Sequence, residues 1–255
     1  MKTAVQSPGI SHVFAVGSNR LALGLARHWL AGFLVAWGAF VGAPWLAPVF
    51  MRAGQTGAGE AIYLIYSTQC HQLPERSFFL FGPQAMYSLQ EVQAVWPESQ
   101  NVLGLRRFVG NATMGWKVAW SDRMVSMWTS IWVGGLLFAV LGRRVKPLPV
   151  WVFVVLALPM ALDGGTHFLS DITAPAFGLG FRDNNVWLAN LTGNAFSPAF
   201  YAGDALGSFN SWMRLLTGTL FGLGAAWVSM PYMAEFFEDT RAQIEAKFSR
   251  AGLTA

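Results

Sequence analysis

A chain of 255 residues that is 54% hydrophobic and only 12% charged does not read as a soluble domain, in which about a quarter of residues carry charge. Its 12 Trp and 20 Phe suit lipid and the membrane–water interface, so composition defines an integral membrane protein. The net charge of +4 comes from basic residues scattered at the flanks of apolar runs, a pattern that fits anionic lipid headgroups and no nucleic acid. A single cysteine excludes an internal disulfide framework and a Cys-rich metal cluster within one chain.

A hydrocarbon core of about 30 Å needs roughly 20 helical residues. Four apolar runs approach that length, over residues 28–50, 118–141, 147–169 and 212–230, and the expected fold is an all-α membrane bundle forming one domain. Residues 1–20 are mixed in character, so no cleaved signal peptide is expected ahead of the first run. The second run stops at Arg143, Arg144 and Lys146, and Pro231 marks the end of the fourth. Lys2, Arg20, Arg27, the Arg143–Lys146 group, Arg241, Lys247 and Arg250 fall on one side, which the charge bias makes cytoplasmic together with both termini. Two long extracytoplasmic segments follow, 51–117 and 163–211. In the first, Ala61–Tyr66 is a candidate short helix; in the second, Trp187, Leu188 and Leu191 stand at helical spacing. Residues 232–255 place Phe237, Ile244 and Phe248 on one face among several charges, the pattern of an amphipathic helix lying along a membrane surface.

The chemistry-bearing residues concentrate in one stretch. Cys70, His71, Gln72, Glu75 and Arg76 lie within seven residues around Pro74, which suits a turn. Lys117, Asp122 and Arg123 precede or open the second run, Asp163 and His167 share a face near the end of the third, and Arg214 opens the fourth. All of them belong at similar depth, so one outer-face polar cluster is expected, with Asp163 and Arg214 paired. Ion pairs that pin the loop onto the bundle are the first reading of such a cluster. A ligand site comes second and catalysis third. No catalytic residue is assigned. No metal or cofactor is expected either, since adjacent Cys70 and His71 chelate poorly and no CxxC, HxxxH or HExxH is present. Small residues at Gly38/Gly42, Ser130/Gly134 and Gly218/Gly222/Ala226 form ridges suited to close helix packing.

The run Cys70-His71-Gln72-Leu73-Pro74-Glu75-Arg76-Ser77-Phe78-Phe79 resembles the hallmark of a prokaryotic family of predicted membrane proteins known as domain of unknown function 2085. The likeness continues through Gly110-Asn111, Gly115-Trp116-Lys117-Val118-Ala119 and Arg123, then Pro159-Met160-Ala161-Leu162-Asp163-Gly164, and ends with Asn210, Arg214, Thr217, Gly218 and Gly222. It covers residues 60–232 in order. The family pattern usually carries a second Cys shortly before an Arg, often followed by Asp or Cys; here those positions read Ser121, Arg123 and Met124. Any thiol-pair chemistry of the family is therefore expected to be lost. The resemblance implies a multi-pass protein of the bacterial inner membrane and no known activity. The expected role is a non-enzymatic accessory, scaffold or assembly subunit, with membrane lipids and a membrane complex as partners. A small enzyme or carrier acting on a lipid or quinone-like molecule is the alternative.

Overall fold

A computed structural model describes residues 10–99, 101–175 and 177–254; Lys2 and the side chain of Arg143, both counted in the charge bias, lie outside that description. The chain is mostly helical, and three helices are long and apolar enough to cross a membrane. They belong to α1 (Ile10–Arg52), α5 (Asp122–Leu141) and α6 (Val150–Thr173). A fourth long helix, α10 (Phe209–Arg250), packs along α5 and α6. Its first half carries Arg214 and is rich in Gly, Thr and Ser, which lowers its mean hydropathy below that of the other three.

Close approach of α5 and α10 follows from the small-residue ridges. A Cβ on Gly218 would collide with the Ser126 hydroxyl, one on Gly222 with the Met127 carbonyl, and one on Gly134 with Ala226. Hydrogen in place of a side chain lets the backbones meet, and the Ser126 Oγ donates to the Arg214 carbonyl across the seam at 3.3 Å. On α1, Gly38 accommodates the Trp132 indole. Gly42 meets nothing and is no part of a ridge contact.

Both terminal helices are longer than the apolar runs foretell. The 43 residues of α1 would reach about 65 Å, twice a bilayer core. Its backbone leaves helical geometry at His28, where a kink separates the amphipathic start from the apolar part. Pro231 does not end the last helix: α10 runs through it to Arg250, so residues 232–250 form no separate surface-lying tail. Their apolar face is covered instead, because Ile244 and Phe248 are buried with Leu23 of α1, and Arg27 pairs with Glu245 at 2.9 Å.

The opposite end carries a cap between α1 and α5 and between α6 and α10. It comprises α2 (Thr56–Tyr66), a 3-10 turn over Pro74–Arg76, β1 (Ser77–Leu80), α3 (Leu89–Val95), α4 (Val102–Arg107), β2 (Gly110–Asn111) and β3 (Gly115–Ser121). These strands correct the all-α expectation. They form an antiparallel sheet in the order β1-β3-β2, with Ser77 opposite Ser121 and Phe79 opposite Lys117. The Asn111 side chain accepts from the Thr113 and Met114 amides and closes the hairpin. Residues 118–121, expected at the start of a span, thus belong to a strand, and the helix begins at Asp122. Trp120 is fully buried and seats the sheet on α1 and α2 by edge contacts with Phe40 and Tyr66 and on α5 by stacking with Trp128. The second cap segment contributes the short helices α7 (Phe181–Asn184), α8 (Val186–Leu191) and α9 (Pro198–Tyr201). It begins later than expected, because α6 stays helical to Thr173.

Candidate functional site: a polar cluster beneath the cap

The cluster rests on two ion-pair chains. In the first, Asp204 Oδ2 accepts from Arg76 Nε at 2.8 Å and Oδ1 from Arg214 Nη1 at 2.5 Å, while Arg214 Nε donates to Asp122 Oδ1 at 2.7 Å. In the second, Asp163 takes Arg123 Nη2 on Oδ2 at 2.7 Å and Arg182 Nη2 on Oδ1 at 2.8 Å. Arg182 also donates to Thr166 Oγ1 and Asn210 Oδ1 and lies over the Phe209 ring. Asp163 and Arg214 are therefore not each other's partners. Arg214 opens α10 beside the start of α5, where Asp122 stands, and the loop folds Asp204 onto its far side; Asp163 meets Arg123 and the loop residue Arg182 instead.

Charged groups taken from water need partners of this quality, since a buried ion left alone costs several kcal/mol. Burial works against the Asp204 carboxylate, yet Arg76 and Arg214 outweigh it and hold the group well below the usual carboxylate range. Burial likewise opposes charge on Arg76, and Asp204 and Glu75 more than offset it.

The turn residues are tied down through backbone. Gln72, in a left-handed conformation with φ of 54°, donates from Nε2 to the Tyr63 and Ala119 carbonyls. Cys70 Sγ accepts from the Gln72 and Ser121 amides at 3.3 and 3.4 Å and lies 3.4 Å from Ser121 Oγ. Cys70 and Ser121 thus face each other across the cap.

Lys117 is 0% exposed, and among the described residues no carboxylate bonds it. Its Nζ donates to the Gln72 and Arg106 carbonyls at 2.6 and 2.8 Å. Two acceptors match the two hydrogens of a neutral amine. Burial, only partly opposed by Glu75, lowers its pKa to about 7. Glu75 is 4% exposed, and its Oε2 has no hydrogen-bond partner. Burial raises its pKa to about 7 against the pull of Arg76 and Lys117.

Two cavities of about 330 Å³ each open on the cluster. The first is walled by Cys70, His71, Arg76, Arg123, His167 and Arg214, and Gln72 also reaches it. The second is walled by Glu75, Asp171, Asp183 and Asp204. Leu73, Arg76 and Asp171 line both. Of the expected residues, Lys117, Asp122 and Asp163 lie behind these walls as supports. His167 is 5% exposed, and its Nε2 lies 3.1 Å from Arg182 Nη2. A guanidinium can only donate, so Nε2 is the acceptor and the proton of the neutral ring sits on Nδ1. That Nδ1 is buried without a partner. His167 in the wall of the first cavity and Glu75 in the wall of the second thus each carry a buried polar atom without a partner among the described residues. Among the described residues, no three His, Cys, Asp or Glu side chains gather as a metal site requires.

Arg182, Asp204 and Asp171 are not singled out by the sequence, and Asn210 enters only through the family likeness. A signal existed: in a chain with 13 acidic residues, Asp204 alone in an Asn- and Gly-rich segment calls for a partner.

Three helices long and apolar enough to cross a membrane, joined to a polar cap, fit a multi-pass membrane protein. Residues 112–228 match the model of the family described as a predicted membrane protein (DUF2085). The Cys70 motif lies before that segment. An uncharacterized protein of Methanocaldococcus jannaschii, MJ1492, is 25% identical over 131 residues, which are 49% of this chain and 63% of the relative. The chain thus covers less than two thirds of that relative's length. No solved structure matches.

Proposed function

We propose that this chain is a non-enzymatic, four-span protein of the cell membrane whose cap holds a lipid headgroup, acting as an accessory or assembly subunit. The observation that carries the reading is His167 Nδ1, a buried donor without a partner in the wall of a cavity. Its neighbours Arg76, Arg123 and Arg214 are engaged with aspartates, an arrangement suited to holding a shape and a potential rather than to moving protons. A catalytic base at His167, which the enzyme alternative requires, would need a free lone pair facing the cavity; the lone pair at Nε2 is engaged by Arg182.

The depth suits a membrane ligand. Phe168 lines the cavity yet is 66% exposed, and Ile172, one turn on along the same face of α6, is exposed as well. Apolar side chains beside a polar cavity match the boundary between acyl chains and headgroups. With residues 209–230 of α10 as the fourth span, both termini fall on one side. Arg20, Arg27, Arg144, Lys146, Arg241, Lys247 and Arg250 gather there, which makes that side cytoplasmic and the cap extracytoplasmic.

Native mass spectrometry of the full chain released from mild detergent tests the reading. The expected spectrum retains about one phospholipid per chain, in keeping with a single site, and Arg76→Ala together with His167→Ala removes it. A chain that sheds all lipid under conditions that keep it folded would contradict the proposal.

A further inference from the structure

The two cavities have opposite chemistry and share a wall. The first is lined by His167, whose Nδ1–H is buried without a partner among the described residues, and by Arg76, Arg123 and Arg214 with His71. The second is lined by Glu75, whose Oε2 is buried without a partner among the described residues, together with Asp171, Asp183 and Asp204. Arg76 and Asp171 stand in both. The four buried or half-buried arginines Arg76, Arg123, Arg182 and Arg214 are balanced by Asp122, Asp163, Asp171 and Asp204. A site balanced in this way gains little from a ligand of net charge. It suits one that carries both signs a few atoms apart.

Resting on the headgroup reading above, we infer that the paired cavities take an alkylammonium phosphoester, the phosphate on the His167 side and the primary ammonium on the Glu75 side. Phosphate oxygens accept from His167 Nδ1–H and from the arginine side, and the ammonium gives Glu75 Oε2 the donor it lacks. Asp183 Oδ2 is already engaged by the Gly180 amide, Asp204 by two arginines, and Asp171 is half exposed 3.9 Å from Arg76, so Glu75 is the buried acceptor without a partner among the described residues. A phosphoglycerol lacks the ammonium and leaves Glu75 unsatisfied. A trimethylammonium has no N–H to donate.

Proton release follows from this arrangement. Glu75 is faced by Arg76 on its own turn, Lys117 on β3, Asp204 before α10, and Asp171 and Asp183 across the cavity. With its pKa raised to about 7 by burial, part of its population is protonated near neutrality. An ammonium beside Oε2 favours the carboxylate and expels that proton.

The test is calorimetry on the delipidated full chain in detergent, with short-chain phosphatidylethanolamine, phosphatidylglycerol and phosphatidylcholine and with free phosphoethanolamine. The expected order places phosphatidylethanolamine ahead of the other two lipids by about tenfold or more, the ratio that one charge-assisted hydrogen bond supplies. At pH 6.5, in two buffers of different ionisation heat, it alone among the lipids releases protons. Glu75→Gln should keep lipid binding but lose both the preference and the proton release. Should that variant not fold, the buffer comparison on the unmodified chain decides. Lipid binding without preference and without proton release overturns this inference and leaves the headgroup reading standing; no binding of any lipid overturns both. Free phosphoethanolamine binding as tightly as the lipid would assign the site to a soluble phosphoester and sink the headgroup reading alone.

Discussion

Arg214 meets Asp204 twice, through Nη1 to the carboxylate at 2.5 Å and through Nη2 to the backbone carbonyl at 2.5 Å. The same carboxylate holds Arg76 of the cap, so one side chain joins the second cap segment, the turn and α10. Asp204→Ala would leave two buried guanidinium groups short of charge, and about 3–5 kcal/mol of stability should be lost. In thermal unfolding of the detergent-solubilised protein, Asp122→Ala and Arg214→Ala should fall well short of additivity, because they share a bond. Asp163→Ala with Arg214→Ala should come closer to the sum. Equal coupling in the two cycles would contradict the partner assignment.

Lys117 and Glu75 give the fold an unusual pH response. The folded pKa of Lys117 is lowered from 10.5 to about 7, so between these values the unfolded chain binds more protons and stability rises with pH. The folded pKa of Glu75 is raised from 4.5 to about 7, so between these values the folded chain binds more protons and stability falls as pH rises. Each slope reaches at most about 1.4 kcal/mol per pH unit. Stability measured by denaturant titration should therefore pass through a minimum near pH 7 from these two groups. Lys117→Met should flatten the alkaline limb and Glu75→Gln the acid limb. A profile unchanged in both variants would show that neither group titrates in this range.

Cys70 Sγ and Ser121 Oγ lie 3.4 Å apart, so a thiol at position 121 stands within reach of a disulfide. Ser121→Cys should cross-link to Cys70 under mild oxidation, seen as loss of both thiols to alkylation in the denatured protein. Two free thiols after oxidation would mean that β3 and the turn do not face each other as described.

The cap and the C-terminal end of α10 should lie on opposite sides of the membrane. Gln90 and Asp239 are both exposed, one in the cap and one beyond Pro231, whereas the native Cys70 is buried. An impermeant maleimide applied to intact cells should label Gln90→Cys and spare Asp239→Cys. Labelling of both or of Asp239→Cys alone would reject the orientation.

Much of the helical framework was readable because apolar runs of bilayer length leave the backbone few alternatives. The ridges Gly218/Gly222/Ala226 and Ser130/Gly134 are visible at helical spacing, and they meet each other. The strand at residues 115–121 was not visible, because a few apolar residues running into a longer apolar stretch show no period of their own. Pro231 misled because a proline forbids only one hydrogen bond, and packing of its helix on neighbours can bridge that gap. Ion-pair choice was the least legible. Residues at similar depth are easily grouped, but the partner of Arg214 depended on the path of a loop that carries Asp204 back over the bundle.

The headgroup claim turns on one nitrogen. His167 lines the cavity and its Nδ1 is buried without a partner among the described residues, while Nε2 is held by Arg182. Nitrogen NMR of imidazole-labelled protein, first delipidated and then given phosphatidylethanolamine, reads this atom directly. The His167 Nδ1 resonance and its attached proton should move as a new acceptor arrives, while His28, at the far end of the bundle, stays unchanged. A His167 signal indifferent to lipid, in protein that remains folded, would contradict the claim that this cavity holds a headgroup.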